Sequence, residues 1–224
     1  MNDLNNNTRP KPDKTTSGST ENAEIILIHG LWYHGIGMTL MANRLRRQGW
    51  QVRVFSYPTI SQPFARNVQA LHQFAIQSDV EQQHFIGHSL GGLLILRMLV
   101  EYELKVSGRV VLLGTPLTGS HVARRIGEQS LLRPALGRSV GVLCQGVAEF
   151  PPDRQVGMIA GNRPVGIGQV TGRLLDTNDG TVLLKETHNE RLQDHMVMPV
   201  THTQMVLSAK VSEKAIAFLR YGNF

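Results

Sequence analysis

The stretch that decides the fold is QHFIGHSLGGLLIL, residues 83–96. Its first part, rich in apolar and β-prone residues, predicts a short buried strand, and its last part has the apolar pattern of a buried helix. Ser89 stands between them, with Gly87 two positions before it and Gly91 two positions after it. Two interpretations are open. The turn serves packing alone, with Ser89 as the N-cap of the helix, or it presents Ser89 as a nucleophile.

The spacing of the glycines favours the nucleophile. A sharp strand-to-helix turn strains the backbone at its serine, and side chains two positions before and after it would clash, so Gly87 and Gly91 remove them. The helix that begins at Leu90 points free backbone N–H groups and its positive end at the serine. A phosphate-binding loop fits less well, because the stretch lacks the G-K-[S/T] ending and has no lysine nearby.

Outward from this stretch, predicted strands alternate with predicted helices. This alternation predicts an α/β fold: one domain whose mostly parallel sheet of about six strands carries helices on both faces. We find no internal repeat and no second domain. The predicted strands are 24–30, 51–58, 83–88, 108–116, 154–161 and 195–200, and the predicted helices are 37–50, 63–77, 90–103 and 208–220.

The composition of the chain argues against a membrane-inserted or a secreted protein. Residues 1–23 are rich in Asn, Thr, Ser, Lys and Pro, so we expect a disordered tail before a domain at 24–224. No run of about 20 apolar residues suggests stable membrane insertion, and the N-terminus lacks the apolar core of a secretory signal. The single cysteine, Cys144, predicts an inert buried thiol, no internal disulfide and a reducing, cytoplasmic location.

The net charge of +6 and the pI of about 9.8 raise the question of a nucleic-acid partner. The basic residues are scattered in short pairs, such as Arg46-Arg47 and Arg124-Arg125, with no aromatic and basic stripe. We therefore interpret them as a solvated surface and expect no nucleic-acid partner.

A serine nucleophile needs a base, and the base needs an orienting acid. In this kind of sheet they lie beyond the carboxyl ends of the strands, in the chain order Ser, acid, His. His202 comes between the last predicted strand and the last helix, so we predict it as the base, with His195 as second choice. His188 lies in a polar stretch and is expected to face solvent. His88 is not expected to be the base, because adjacent residues on such a turn point apart.

The acid should follow the fifth predicted strand. Asp179 lies in the turn signature Asn178-Asp179-Gly180, where its carboxylate could bind the second nitrogen of the histidine and fix its tautomer. Asp176 is the fallback, and a turn without chemistry is the alternative. Asp194 is too close to the last strand.

The oxyanion of an acyl-transfer intermediate needs two backbone N–H donors. One comes from Leu90, directly after the serine. The other is expected from Leu31, in the loop HGLWYHG (29–35) after the first strand. Trp32 and Tyr33 would then line the site mouth or an acyl pocket, with ordinary edge packing as the alternative.

Five segments together resemble the α/β-hydrolase family, and within it the lipase- and esterase-like serine hydrolases of bacteria. They are ILIHGLW (26–32), GHSLGG (87–92), LLGTPLTGS (112–120), NDGTV (178–182) and VTHTQM (200–205), within a resemblance that covers about residues 24–221. The resemblance implies a triad of Ser89, Asp179 and His202, with Leu31 and Leu90 as oxyanion donors.

The chain departs from the family pattern in three places. About six strands are predicted where the full family sheet has eight, and the oxyanion loop is HGLW rather than HGGG. The stretch 117–150, where larger relatives carry a lid, is short. Leu131, Leu132 and Leu136 have helical spacing there, which predicts a small cap or simple packing. A small cap favours small or medium acyl groups.

The leading hypothesis is a serine hydrolase that cleaves a small-molecule carboxylic ester through an acyl-enzyme, without metal or cofactor. No H-E-x-x-H or comparable spacing suggests zinc. An acyltransferase with the same triad and a non-catalytic ligand-binding module remain alternatives, because fold does not fix function. The physiological substrate and the oligomeric state stay open at this point.

Overall fold

The computed structural model describes residues 22–32, 35–147, 149–169 and 174–224. Within them six strands form one fully parallel sheet in the order β2-β1-β3-β4-β5-β6. This confirms the predicted fold class. The strands are β1 Ala23–Ile28, β2 Gln51–Phe55, β3 Gln82–His88, β4 Val110–Leu113, β5 Val156–Gly161 and β6 Asp194–Met198.

Helices cover both faces of the sheet. The α-helices are α1 Thr39–Arg47, α2 Phe64–Ala75, α3 Leu90–Glu101, α4 His121–Glu128, α5 Val140–Gln145, α6 Gln204–Leu207 and α7 Ala209–Tyr221. Alternate residues of a strand pack into two different hydrophobic cores, one on each face of the sheet, because successive side chains of a strand point to opposite faces. Ile26 and Ile28 of β1 pack with α2 and α3, whereas Ile25 and Leu27 pack with α1 and α7.

Residues 83–96 lie at the centre of the sheet. β3 lies between β1 and β4, and Gly87 pairs with Ile28 on one side and Leu112 on the other. α3 follows β3 directly and buries nine of its residues, which explains why its sequence is apolar all round rather than on one stripe. The carboxyl ends of the parallel strands therefore converge where Ser89 leaves the sheet. None of the helices in the described ranges combines the length and apolarity of a membrane crossing.

Two details differ from the sequence prediction. β1 begins at the buried Ala23, one residue before the predicted strand at Glu24; residues 1–21 of the predicted tail lie outside the described residues. The helical arrangement of Leu131, Leu132 and Leu136 is wrong. That region contains only two short 3₁₀ turns, Arg133–Ala135 and Gly137–Ser139. Gly137 has a φ of 54°, which interrupts any longer helix.

Candidate active site

The turn at Ser89 has the strained backbone that the sequence predicts. Ser89 has φ 54° and ψ −120°, a conformation that is rare outside glycine. A Cβ at Gly87 would lie 2.5 Å from Ile95 Cδ1, and one at Gly91 would lie 2.5 Å from the carbonyl oxygen of Ile28. Both glycines are therefore required by close packing around the turn.

The N-cap interpretation of Ser89 does not hold. Its hydroxyl makes no capping hydrogen bond to α3. The turn is held instead through the Ser89 backbone: its N–H donates to the Leu113 carbonyl (2.9 Å), and its carbonyl accepts from the Thr115 hydroxyl (3.1 Å). The Ser89 side chain is thus left to face the cavity that it lines.

The structure brings His202 and Asp179 together. His202 Nδ1 lies 2.7 Å from Asp179 Oδ2, and the His202 backbone N–H donates to the Asp179 carbonyl at 2.8 Å. The other carboxylate oxygen, Oδ1, accepts from the N–H groups of Thr181 (2.9 Å) and Val182 (2.7 Å). Because a carboxylate can only accept, it holds the proton of His202 on Nδ1 and leaves Nε2 with a lone pair.

Ser89 and His202 line one cavity of about 260 Å³. Each has only 8% of its surface exposed, so the polar side of the cavity is screened from bulk water. The opposite wall is apolar and comes largely from the stretch 117–150 that the sequence marked as a possible cap. The apolar lining residues include Val122, Ala123, Ile126, Leu136, Leu143 and Ile167.

The two oxyanion candidates come from the start of α3 and from the loop after β1. Leu90 is the first residue of α3. Leu31 and Trp32 line the cavity, and a Cβ at Gly30 would lie 3.0 Å from Ser89 Cβ. The loop after β1 therefore runs directly against the serine. Tyr33, the second predicted mouth residue, lies outside the described residues.

The fallback candidates are placed elsewhere. Asp176 is exposed and pairs with Lys185 at 2.5 Å; the lysine, by hydrogen bond and charge, lowers the pKa of the Asp176 carboxyl. His195 lies in β6, where its Nε2 is 2.9 Å from the Thr187 hydroxyl, and burial lowers its pKa. Asp194 accepts from the Phe224 N–H. None of these contacts involves Ser89.

His88 is the residue whose position sequence reasoning missed. Its Nε2 donates to the His202 carbonyl at 3.0 Å, and the two rings lie 4.6 Å apart. Burial and the neighbouring His202 lower the pKa of His88 well below its usual value, so a neutral ring is packed behind the candidate base. His88 thus contacts His202, the candidate base, and the one sequence signal for this contact is its place directly before Ser89.

Within the described ranges, no group of three or more His, Cys, Asp or Glu side chains is arranged to hold a metal ion.

Comparison with known proteins agrees with this fold. A sequence profile described as the alpha/beta hydrolase family matches residues 25–197. No curated protein matches the sequence. Among solved structures, the mature lipase BlEst2 of Bacillus licheniformis is 18% identical, with a TM-score of 0.68 over 90% of this chain and 92% of that one.

Two carboxylesterases have similar structures. The metagenomic carboxyl esterase MGS0156 is 16% identical, with a TM-score of 0.64 over 88% of this chain and 68% of that chain. The carboxylesterase CesB of Bacillus subtilis is 12% identical, with a TM-score of 0.58 over 93% of this chain and 87% of that chain. At these identities the likeness concerns the fold.

Proposed function

This chain belongs to the alpha/beta hydrolase family, and from that premise we propose that it is a serine hydrolase that cleaves carboxylic esters through an acyl-enzyme on Ser89. One observation carries the proposal. Ser89, on a strained turn, shares a cavity with His202, whose Nδ1 is bound by the buried Asp179 at 2.7 Å. Nucleophilic catalysis by a serine needs a base near the hydroxyl and an acid that orients the base, and this arrangement supports both roles.

The proposed reaction uses this chain's own groups at each step. His202 Nε2 takes the proton of the Ser89 hydroxyl as its oxygen attacks the acyl carbon. The N–H groups of Leu31 and Leu90 hold the oxyanion, and Asp179 stabilises the imidazolium. His202 then gives the proton to the departing alkoxide, which leaves as an alcohol. Water, deprotonated by His202, releases the acid from Ser89 in the same two steps.

The cavity supports a small or medium acyl group. Its volume of about 260 Å³ lies just below the range of about 300–1,000 Å³ that is usual for drug-sized ligands, and its apolar wall suits a hydrocarbon chain. The names of the lipase and the carboxylesterases with similar folds support an ester as the bond that is cleaved. The single cysteine, half-buried Cys144, supports a cytoplasmic location.

The test is the replacement Ser89→Ala, assayed on p-nitrophenyl esters and with a fluorophosphonate probe. We expect the wild type to hydrolyse the esters and to be labelled at Ser89, and the folded variant to do neither. Ser120→Ala is the matched control. Ser120 also lines the cavity, but its hydroxyl caps α4 by accepting from the Ala123 N–H, so labelling should persist in this variant. Unchanged hydrolysis in Ser89→Ala would overturn the proposal.

Two other outcomes would favour a different function for this protein. If an added alcohol receives the acyl group in preference to water, the protein is an acyltransferase with the same triad. If the probe does not label the protein while an apolar ligand binds tightly, the protein is a non-catalytic binding module.

A further inference from the structure

Trp32 has a backbone conformation that nothing in its own sequence explains. It has a φ of 60°, and among the described residues only Ser89 shares a positive φ without being glycine. A bulky side chain in this region is a real outlier and carries about 1–3 kcal/mol of strain. Strain of this size persists only where surrounding contacts hold it.

Those contacts come from two other parts of the chain. The Trp32 backbone N–H donates to the Thr59 hydroxyl at 3.4 Å, and the indole N–H donates to the Ala135 carbonyl at 2.7 Å. Trp32 is 42% exposed, so burial is not what fixes its conformation. The hydrogen bond to Ala135, 103 residues away in sequence, is the stronger of the two restraints.

Ala135 lies in residues 133–139, which we call the roof segment. The roof segment is itself attached to the loop after β2: the Ser139 hydroxyl donates to the Thr59 carbonyl at 2.6 Å, and the Arg138 N–H donates to the Ile60 carbonyl at 2.9 Å. Three segments are thus joined in a closed set of hydrogen bonds. The roof segment also supplies Leu136 to the cavity wall.

Trp32 follows Leu31, whose N–H is the second oxyanion donor in the proposed reaction. We propose that Trp32 is a positioning residue: its indole hydrogen bond to Ala135 holds the Leu31–Trp32 backbone and the roof segment together, so that this contact couples the position of the cavity wall to the position of the Leu31 N–H. The oxyanion part of this inference rests on the proposed function, whereas the link to the roof segment does not.

The first test exploits the two tryptophans of the chain. Trp32→Phe keeps an aromatic ring and removes only the indole N–H. We expect kcat on a short p-nitrophenyl ester to fall about two- to tenfold, the effect of one hydrogen bond. KM should change less than about twofold, because a misplaced oxyanion donor acts on the transition state.

Trp50→Phe is the matched control. Trp50 is buried in the core and does not line the cavity, and its indole N–H has no hydrogen-bond partner within the described part of the chain. This variant should lose thermal stability through poorer packing while kcat stays as in the wild type. A drop in kcat that was equal in the two variants would attribute the effect to general destabilisation and overturn the proposal.

The second test needs no activity. In Trp50→Phe the fluorescence reports Trp32 alone. Adding Ser139→Ala removes the hydrogen bond from the roof segment to Thr59, and adding Gly137→Ala places a Cβ 2.3 Å from the Ile60 carbonyl oxygen, which displaces the roof segment from the loop after β2. The Trp32 emission should then move to longer wavelength as the indole loses Ala135 and becomes more exposed to water. An emission spectrum that is unchanged by the two substitutions would overturn the link to the roof segment. A wild type inactive on all esters would instead count against the proposed function, with the fluorescence result still deciding the link.

Discussion

Replacing Asp179 by asparagine separates the chemical role of this residue from its structural role. Asp179 is 1% exposed, and its two carboxylate oxygens have different partners. Oδ2 faces His202 Nδ1 at 2.7 Å, while Oδ1 accepts from the N–H groups of Thr181 and Val182. The asparagine carbonyl can keep both backbone hydrogen bonds, which then places its NH₂ group towards His202.

The NH₂ group can only donate, so His202 Nδ1 must accept and the ring proton moves to Nε2. In that tautomer His202 cannot take the proton of Ser89. The loss of the correct tautomer lowers kcat by about 10⁴ in triads of this type, equivalent to about 5.5 kcal/mol of transition-state stabilisation. The melting temperature should stay close to that of the wild type, because both backbone N–H groups keep an acceptor.

The assay is steady-state hydrolysis of a p-nitrophenyl ester, with a thermal melt of each variant. Asp179→Ala gives the complementary result: the Val182 N–H loses its buried acceptor, which destabilises the fold by about 1–3 kcal/mol in addition to the loss of activity. Asp176→Asn is the control and should leave kcat unchanged, because Asp176 pairs only with Lys185 at the surface. An Asp179→Asn enzyme within tenfold of the wild type, with a normal melt, would refute the assignment of the acid.

Two further predictions concern stability. Ser89→Gly should abolish ester hydrolysis yet raise the free energy of unfolding, measured in urea, by about 0.5–2 kcal/mol. The reason is that glycine relieves about 1–3 kcal/mol of backbone strain at φ 54°, which exceeds the chain entropy that glycine adds to the unfolded state. A less stable variant would contradict the presence of this strain. Burial, with Arg109 and Arg154, lowers the pKa of His84 to about 4, so the unfolded chain binds a proton that the folded chain does not between about pH 6.5 and 4. The free energy of unfolding should therefore fall by up to about 3 kcal/mol as the pH drops through that window, and the fall should be smaller in His84→Gln; an equal fall in both proteins would contradict this origin.

The parts of the site that could be predicted from sequence are those whose cause is local or fixed by chain order. The glycine spacing around Ser89 is visible in the chain as a motif, although the contacts that require these glycines are with Ile95 for Gly87 and with the Ile28 carbonyl of β1 for Gly91. Asp179 and His202 are 23 residues apart, but the order of strands in a parallel sheet places both beyond neighbouring carboxyl ends. The strand count and the helices on both faces follow from the same alternation.

The region 117–150 resisted prediction because its structure depends on contacts with distant segments. Its leucines have helical spacing, yet Leu131 is 92% exposed and Leu136 is 2% exposed. A Cβ at Gly137 would lie 2.3 Å from the Ile60 carbonyl oxygen, so a loop some 77 residues earlier shapes the backbone there. Local periodicity cannot carry information about such a neighbour.

The proposed chemistry of the site and its selectivity for an acyl group depend on different parts of the chain. The residues proposed to make and break bonds depend on the turn at Ser89 and on the strand ends, which the chain specifies locally. The wall that meets the acyl group depends on the roof segment, which is held by hydrogen bonds to Trp32 and Thr59 across more than 75 residues of sequence. Substitutions in the roof segment can therefore change which ester fits while leaving the hydrogen bonds of Asp179 and His202 untouched, provided that Trp32 keeps the Leu31 backbone in place.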